Sequence, residues 1–106
     1  MTVLRIYRKG TLFTGFECSG HSGYSEAGSD IVCAAISTAV QYCVNCAEKI
    51  DRVPMELTVD ETKALIRCIG KEPNEQFSKH IEILADFGKG ISNEYAMNFN
   101  LEILEV

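Results

Sequence analysis

The stretch from Asp30 to Ile50 constrains this chain most, because apolar residues return at helical spacing at Ile31, Ala35, Ala39, Cys43, Cys46 and Ile50. Small residues at Ala34, Ala35, Ser37 and Ala39 permit a close approach by whatever packs against them. A chain of 106 residues has room for one hydrophobic core. A helix of about five turns built from these residues therefore has to be buried. Ser29 or Asp30 can accept the orphan amide hydrogens of its first turn, and Asp51 to Pro54 ends it.

The segments on either side read as strands. Thr2 to Arg8 alternates with Leu4 and Ile6 on one face, Lys9-Gly10 turns the chain, and Leu12 to Cys18 alternates again with Leu12, Phe16 and Cys18 aligned. Beyond the helix, Pro54 to Asp60 alternates through Met55, Leu57 and Val59, and Lys63 to Gly70 returns after an acidic turn at Asp60-Glu61. These are two hairpins. Glu72-Pro73-Asn74 opens a second helix, with Pro73 suited to an early helical position. Its inner stripe is Phe77, Ile81, Leu84 and Phe87 or Ile91, and the glycines place its end near Gly88 to Ser92. Met97, Phe99, Leu101 and Ile103 alternate with Asn98, Asn100 and Glu102 as a last strand. The order ββαββαβ predicts an α+β fold, a single domain over residues 1–106 in which two helices cover one face of an antiparallel or mixed sheet. An uncovered face carrying Leu65 and Ile69 points to a homodimer.

Charge narrows the choice of partners. Ten Lys and Arg against 15 Asp and Glu leave a net charge of −5, and no basic cluster is dense enough to track a phosphate backbone, so no nucleic acid is expected. Met1 to Gly10 carries Arg5, Arg8 and Lys9 and lacks the apolar core of a signal peptide. No run is taken to reach membrane-spanning length. The expectation is a cytoplasmic protein with no membrane partner. Five cysteines, an odd number without an export signal, argue for reduced thiols.

Between hairpin and helix, Ser19 to Ser29 breaks all periodicity with Gly20, Gly23 and Gly28, the mark of an exposed and mobile loop. His21 lies in it. Cys33 follows twelve residues later in the first helical turn, near unpaired amides and the positive end of the helix dipole. Such a setting favours thiolate over thiol, a folded-back imidazole can take the proton, and the same amides can hold an oxyanion. On spacing alone, the commoner reading of a cysteine in an apolar run is a small buried hydrophobe, and of a loop histidine a solvated side chain.

The whole segment changes that balance. Gly20-His21-Ser22-Gly23-Tyr24, followed by Gly28-Ser29-Asp30-Ile31-Val32-Cys33-Ala34-Ala35-Ile36-Ser37, resembles the signature of the ribosomal-processing cysteine protease family, Prp. The resemblance extends to chain length, the opening hairpin and the element order. It implies an endopeptidase that removes an N-terminal extension from a bacterial large-subunit ribosomal protein, with Cys33 as nucleophile and His21 as general base. It also implies a homodimer and a substrate loop, here Gly20, Ser22, Gly23 and Tyr24, that moves when substrate binds. Asp30 and Ser37 belong to the matched segment as supporting residues. Asp30 can cap the helix and orient His21, and Ser37, one turn beyond Cys33, can line the site; a plain N-cap and a back-bonded helix serine fit them equally well.

No cofactor or metal is expected. Cys43-Val44-Asn45-Cys46 falls inside a helix rather than at its start, where a redox pair gains its low thiol pKa, so core packing explains it better. No second ligand pair completes a zinc site, and Cys68 with His80 is a weak signal. Cys18 reads as strand core. The glycine loop lacks the lysine of a phosphate-binding motif. Two rival classes remain: a non-enzymatic ribosome- or protein-binding module with a structural Cys33, and a thiol-redox protein, for which no nearby resolving cysteine is evident.

Overall fold

The hairpin strands β1 (Thr2–Lys9) and β2 (Leu12–Ser19) form the middle of a five-stranded sheet of order β3-β4-β2-β1-β5. The structure, a computed structural model, describes residues 1–21 and 30–106. β3 (Met55–Asp60) and β4 (Leu65–Gly70) form the second hairpin, and β4 pairs antiparallel with β2. β5 (Phe99–Glu105) lies parallel to β1, so the sheet is mixed, and the predicted ββαββαβ order with two helices holds. The helices are α1 (Ile31–Asn45) and α2 (Glu75–Glu94). Leu4, Ile6, Phe16, Cys68 and Phe99 from the sheet meet Val32, Ile36 and Val40 of α1 and Phe77, Ile81 and Leu84 of α2 in one core.

The opposite face of the sheet is organised by charge. Directly paired residues on four neighbouring strands are Arg67, Glu17, Arg5 and Glu102. Glu17, only 7% exposed, accepts from Arg5 Nη1 at 3.3 Å and from Arg67, while Arg5 Nε reaches Glu102 at 3.0 Å. Opposite charges placed across strands favour one register over its one-residue slips. Leu65 and Ile69 alternate with the buried Cys68 and stand on this face as expected, each half-buried.

Several sequence expectations shift locally. The register of β1 against β2 jumps between Tyr7 and Arg8, leaving Thr14 as an extra residue, and Phe13 rather than Leu12 packs against the core beside Phe16 and Cys18. Ser78 on α2 accepts the Phe13 amide at 2.9 Å and so ties the bulge to the helix. The buried stripe of α1 is Val32, Ile36, Val40, Cys43 and Val44, continuing to Ala47, while Ile31 and Ile50 are 53% and 73% exposed and Ala35 is exposed. Residues 31–50 are apolar nearly all round, so more than one stripe fits the sequence, and the sheet chooses among them. That same stretch is long and apolar enough, by length and composition, to cross a membrane, contrary to the sequence expectation; here one face of it is part of the core.

α1 widens at its end into a π-helical turn (Cys46–Ile50), where the Asp51 amide donates to the Cys46 carbonyl at 3.3 Å. Asp51 then meets His80 Nε2 of α2 at 2.5 Å, joining the two helices, and Cys68 contacts Met55 Sδ instead of sharing a site with His80. Pro73 lies just outside α2, whose N-cap is Asn74 through a 2.9 Å bond from the Phe77 amide. α2 also runs past its glycines, and of the two inner candidates Ile91 packs inward while Phe87 is 60% exposed.

Gly88 explains why a glycine need not end this helix. A Cβ there would stand 3.3 Å from Leu101 Cδ1 and 3.4 Å from Leu4 Cδ2, so glycine lets α2 sit close to β1 and β5, whereas a Cβ on Gly90 would meet nothing within 4 Å. Gly88→Val is expected to destabilise the fold by about 1–3 kcal/mol through overpacking. Gly90→Ala should stabilise it by about 0.5–1 kcal/mol by restricting the unfolded chain. Thermal melting of both variants beside wild type checks the opposite signs.

Candidate active site

The chain leaves β2 through Gly20, whose φ of +87° and closeness to the first residue (a Cβ would meet the Met1 carbonyl oxygen at 2.5 Å) both require glycine. Its amide donates to the Ala64 carbonyl at 3.1 Å, and its carbonyl accepts from Thr2 Oγ1 at 3.3 Å. Ala64 belongs to the β3–β4 corner, a 3₁₀ turn over Glu61–Lys63 capped by Asp60. Asp60 accepts from the Thr62 hydroxyl at 2.6 Å and from the Thr62 and Lys63 amides at 3.0 and 3.3 Å; these bonds, the hydroxyl first, hold its carboxyl below the usual range. The exposed His21 thus follows a backbone pinned from two sides.

At the other edge, Asp30 starts α1. Its Oδ1 accepts from the amides of Val32 and Cys33, both at 3.0 Å, and its own carbonyl takes the Ala34 amide at 3.1 Å. The cap expected of Asp30 is present. It alters the expected chemistry of the helix start, however, because the Cys33 amide already donates to a carboxylate. An anion at the helix terminus also offsets the positive end of the dipole.

His21 and Cys33 line one cavity of about 440 Å³, together with Gly20 and Ser37. Ser37 lies one turn beyond Cys33, is exposed, and accepts from Gln41 Nε2 at 3.0 Å rather than serving only the helix backbone. Ser22, Gly23 and Tyr24, with most of the expected mobile loop, lie outside the described residues. The cavity wall holds residues that sequence reasoning did not assign to the site: Thr2 on β1, Ile36 and Val40 on α1, and the β3–β4 corner with Val59, Asp60 and Leu65. Alternation aligned Val59 with Met55 and Leu57, but only the strand order brings that corner beside β2. Thr2 could have been found from its alignment with Leu4 and Ile6.

Cys18, read as core, is indeed buried but lines this cavity as well. Burial, followed by the charges of Cys33 and Glu17, pushes its thiol up to about 12. Burial likewise pushes Cys43 to about 12 and Cys68 to about 11. A thiol with a pKa of about 12 is ionised in roughly one molecule in ten thousand at pH 8. Of the two cavity thiols Cys33 is half-buried and Cys18 buried. Among the described residues no group of three or more His, Cys, Asp or Glu could hold a metal ion.

Comparison with known proteins bears on this arrangement. The profile of the family described as cysteine protease Prp matches residues 1–98. No curated protein matches the chain by sequence. A crystal structure of the essential ribosomal-processing protease Prp from S. aureus, with a covalently linked product peptide, superposes with a TM-score of 0.89 at 20% identity, covering 98% of this chain and 100% of that one. The same S. aureus protease with a substrate peptide gives 0.84 at 20% identity over the same shares. SMU.848 from Streptococcus mutans gives 0.85 at 23% identity over 100% of this chain and 96% of its own. These likenesses show a shared fold.

The thiol contrast has a direct consequence. With limiting iodoacetamide at pH 8, native protein should be alkylated at Cys33 at least about ten times faster than at Cys18, Cys43 or Cys68. A raised thiol pKa keeps the neutral form until pH passes it, so label on those three should climb only as pH rises towards 11 or 12. Peptide mass spectrometry reads this, and equal labelling of Cys18 and Cys33 at pH 8 would contradict it.

Proposed function

The chain belongs to the cysteine protease Prp family, and from that premise we propose that it is the endopeptidase that removes an N-terminal extension from a bacterial large-subunit ribosomal protein, using Cys33 as nucleophile and His21 as general base. The observation that carries this is the meeting of His21 and Cys33 on one cavity, while the other thiol there, Cys18, is held protonated. The S. aureus protease of the same fold carries a covalently linked product peptide, and a peptide substrate is the natural extension to this chain.

In this reading His21 takes the Cys33 proton, Sγ attacks the scissile carbonyl carbon, and the imidazolium returns the proton to the departing amine. Water, with His21 again as base, cleaves the thioester and frees Cys33. The aliphatic wall of Ile36, Val40, Val59 and Ile66 suits an apolar substrate side chain beside the cut. Holding the oxyanion with the Cys33 amide requires Asp30 Oδ1 to give way, since that N–H is already donated. Asp30 therefore serves first as the helix cap and Ser37 as a lining residue; whether Asp30 also orients His21 is a further part of the proposal. We place the enzyme in the cytoplasm as a homodimer joined through the open face that carries Leu65 and Ile69.

The test is mass spectrometry of the extended ribosomal protein, or of a peptide spanning its N-terminal junction, incubated with wild type, Cys33→Ala and His21→Ala. Wild type should cut once at the junction, Cys33→Ala should be inactive, and His21→Ala should lose at least about a hundredfold. Retained cleavage by Cys33→Ala would remove it as nucleophile. A folded wild type that binds the junction without cutting it would favour the binding-module reading.

A further inference from the structure

Thr2 is polar and only 2% exposed, an unusual place for a hydroxyl unless its hydrogen bonds are met. They are met by two partners of different kinds. Oγ1 donates to the Gly20 carbonyl at 3.3 Å and lies 3.8 Å from Cys33 Sγ, within hydrogen-bonding range for sulfur. Gly20 is the residue before His21, so one side chain touches both the backbone carrying the candidate base and the candidate nucleophile itself. The rest of Thr2 is held independently, its amide donating to the Asn98 carbonyl at 3.0 Å. The hydroxyl is thus presented from the sheet and does not need to be ordered by substrate.

We propose that Thr2 is a positioning residue for Cys33, its hydroxyl moving its hydrogen from the Gly20 carbonyl to the Cys33 sulfur as the thiol loses its proton. A threonine hydroxyl has one hydrogen and two lone pairs. While Cys33 is a thiol, S–H can donate to Thr2 Oγ1 and Thr2 can donate onward to Gly20, a chain that leaves each group satisfied. Once His21 removes the thiol proton, sulfur becomes an acceptor only, and rotation about the Thr2 Cβ–Oγ1 bond supplies it with a donor. No bond forms or breaks within Thr2. The hydroxyl thereby favours the ionised sulfur and holds it on the cavity side of β1, a task the first-turn amide of Cys33 does not perform while it donates to Asp30. Among the described residues, the other titratable groups around the thiol are Cys18 on β2, His21, Asp30 at the start of α1, and Asp60 and Glu61 at the β3–β4 corner. Thr2→Val leaves these side chains in place, and Thr2→Ser keeps the bond to the Gly20 carbonyl that precedes His21.

This inference rests on the reading of Cys33 as the reactive thiol, and its test does not use proteolysis. Thr2→Val removes the hydroxyl at nearly constant volume, and Thr2→Ser keeps it. The rate of Cys33 carbamidomethylation would be followed by mass spectrometry from pH 5 to 10 in wild type and both variants, with the slow labelling of Cys18 and Cys68 in the same digest reporting an intact fold. Thr2→Val should label Cys33 at least threefold more slowly at pH 7, with the midpoint of its pH profile moved upward, and Thr2→Ser should stay within twofold of wild type. A Thr2→Val profile that overlays wild type would overturn the proposal. Equal impairment in Thr2→Ser would also overturn it, by showing that packing and not the hydroxyl matters. Loss of the fold in Thr2→Val, seen as fast label on Cys18, passes the decision to Thr2→Ala under the same criteria. Absence of peptide cleavage by wild type, with the Thr2 effect intact, would count against the protease reading alone.

Discussion

The two hydrogen bonds from the Val32 and Cys33 amides to Asp30 Oδ1 settle where α1 begins, and much of the molecule depends on that choice. α1 is apolar on nearly every side, so its composition leaves its rotation about the axis open. A start at Ile31, with Val32, Ile36 and Val40 turned to the sheet, leaves Cys33 half-buried at the cavity edge with Ser37 one turn above it. Had the helix been rotated to bury Ile31 and Ala35, Cys33 would face elsewhere. The N-cap contributes about 0.5–2 kcal/mol in comparable proteins, a modest sum for a bond that also aims the thiol.

A second constraint comes from the sheet. The ladder of Arg67, Glu17, Arg5 and Glu102 opposes charges across four strands in the observed register. A slip of one residue would bury these groups against the helices and expose Leu4, Ile6 and Cys68, which is the physical reason that register is secure. That register places Thr2 opposite the start of the loop and brings the β3–β4 corner against Gly20. The cavity is a product of strand order more than of any one segment.

The site's chemistry follows from unequal burial. Five thiols are present, and desolvation keeps three of them protonated well past neutral pH. Cys33 and Cys46 are the two half-buried thiols of the five, and of these two Cys33 lines the cavity. The Cys33 amide is occupied by the same cap that aims the thiol. Thr2 supplies polar contact from the opposite wall.

Alternation and helical periodicity made the element order, the α+β class and the inward Leu4 and Ile6 of β1 legible, because side-chain period reports which face is apolar, whereas Leu57, Val59 and Ile103 of the outer strands and Met97 before β5 are exposed. The matched segment around His21 and Cys33 made the candidate pair legible too. Other features were decided by contacts between segments distant in the chain. The bulge at Thr14 replaced Leu12 by Phe13 in the core, and Gly88 continued α2 where a glycine reads as a stop, since its missing side chain admits Leu101 and Leu4. The rotation of an almost uniformly apolar helix, and the membership of Thr2, Cys18, Val59 and Asp60 in one cavity, likewise emerged only in three dimensions. By itself the sequence determined which residues prefer strand or helix and which segment bears the candidate pair; the tertiary structure alone decided what surrounds that pair, because strand order and close packing are set by partners far apart along the chain.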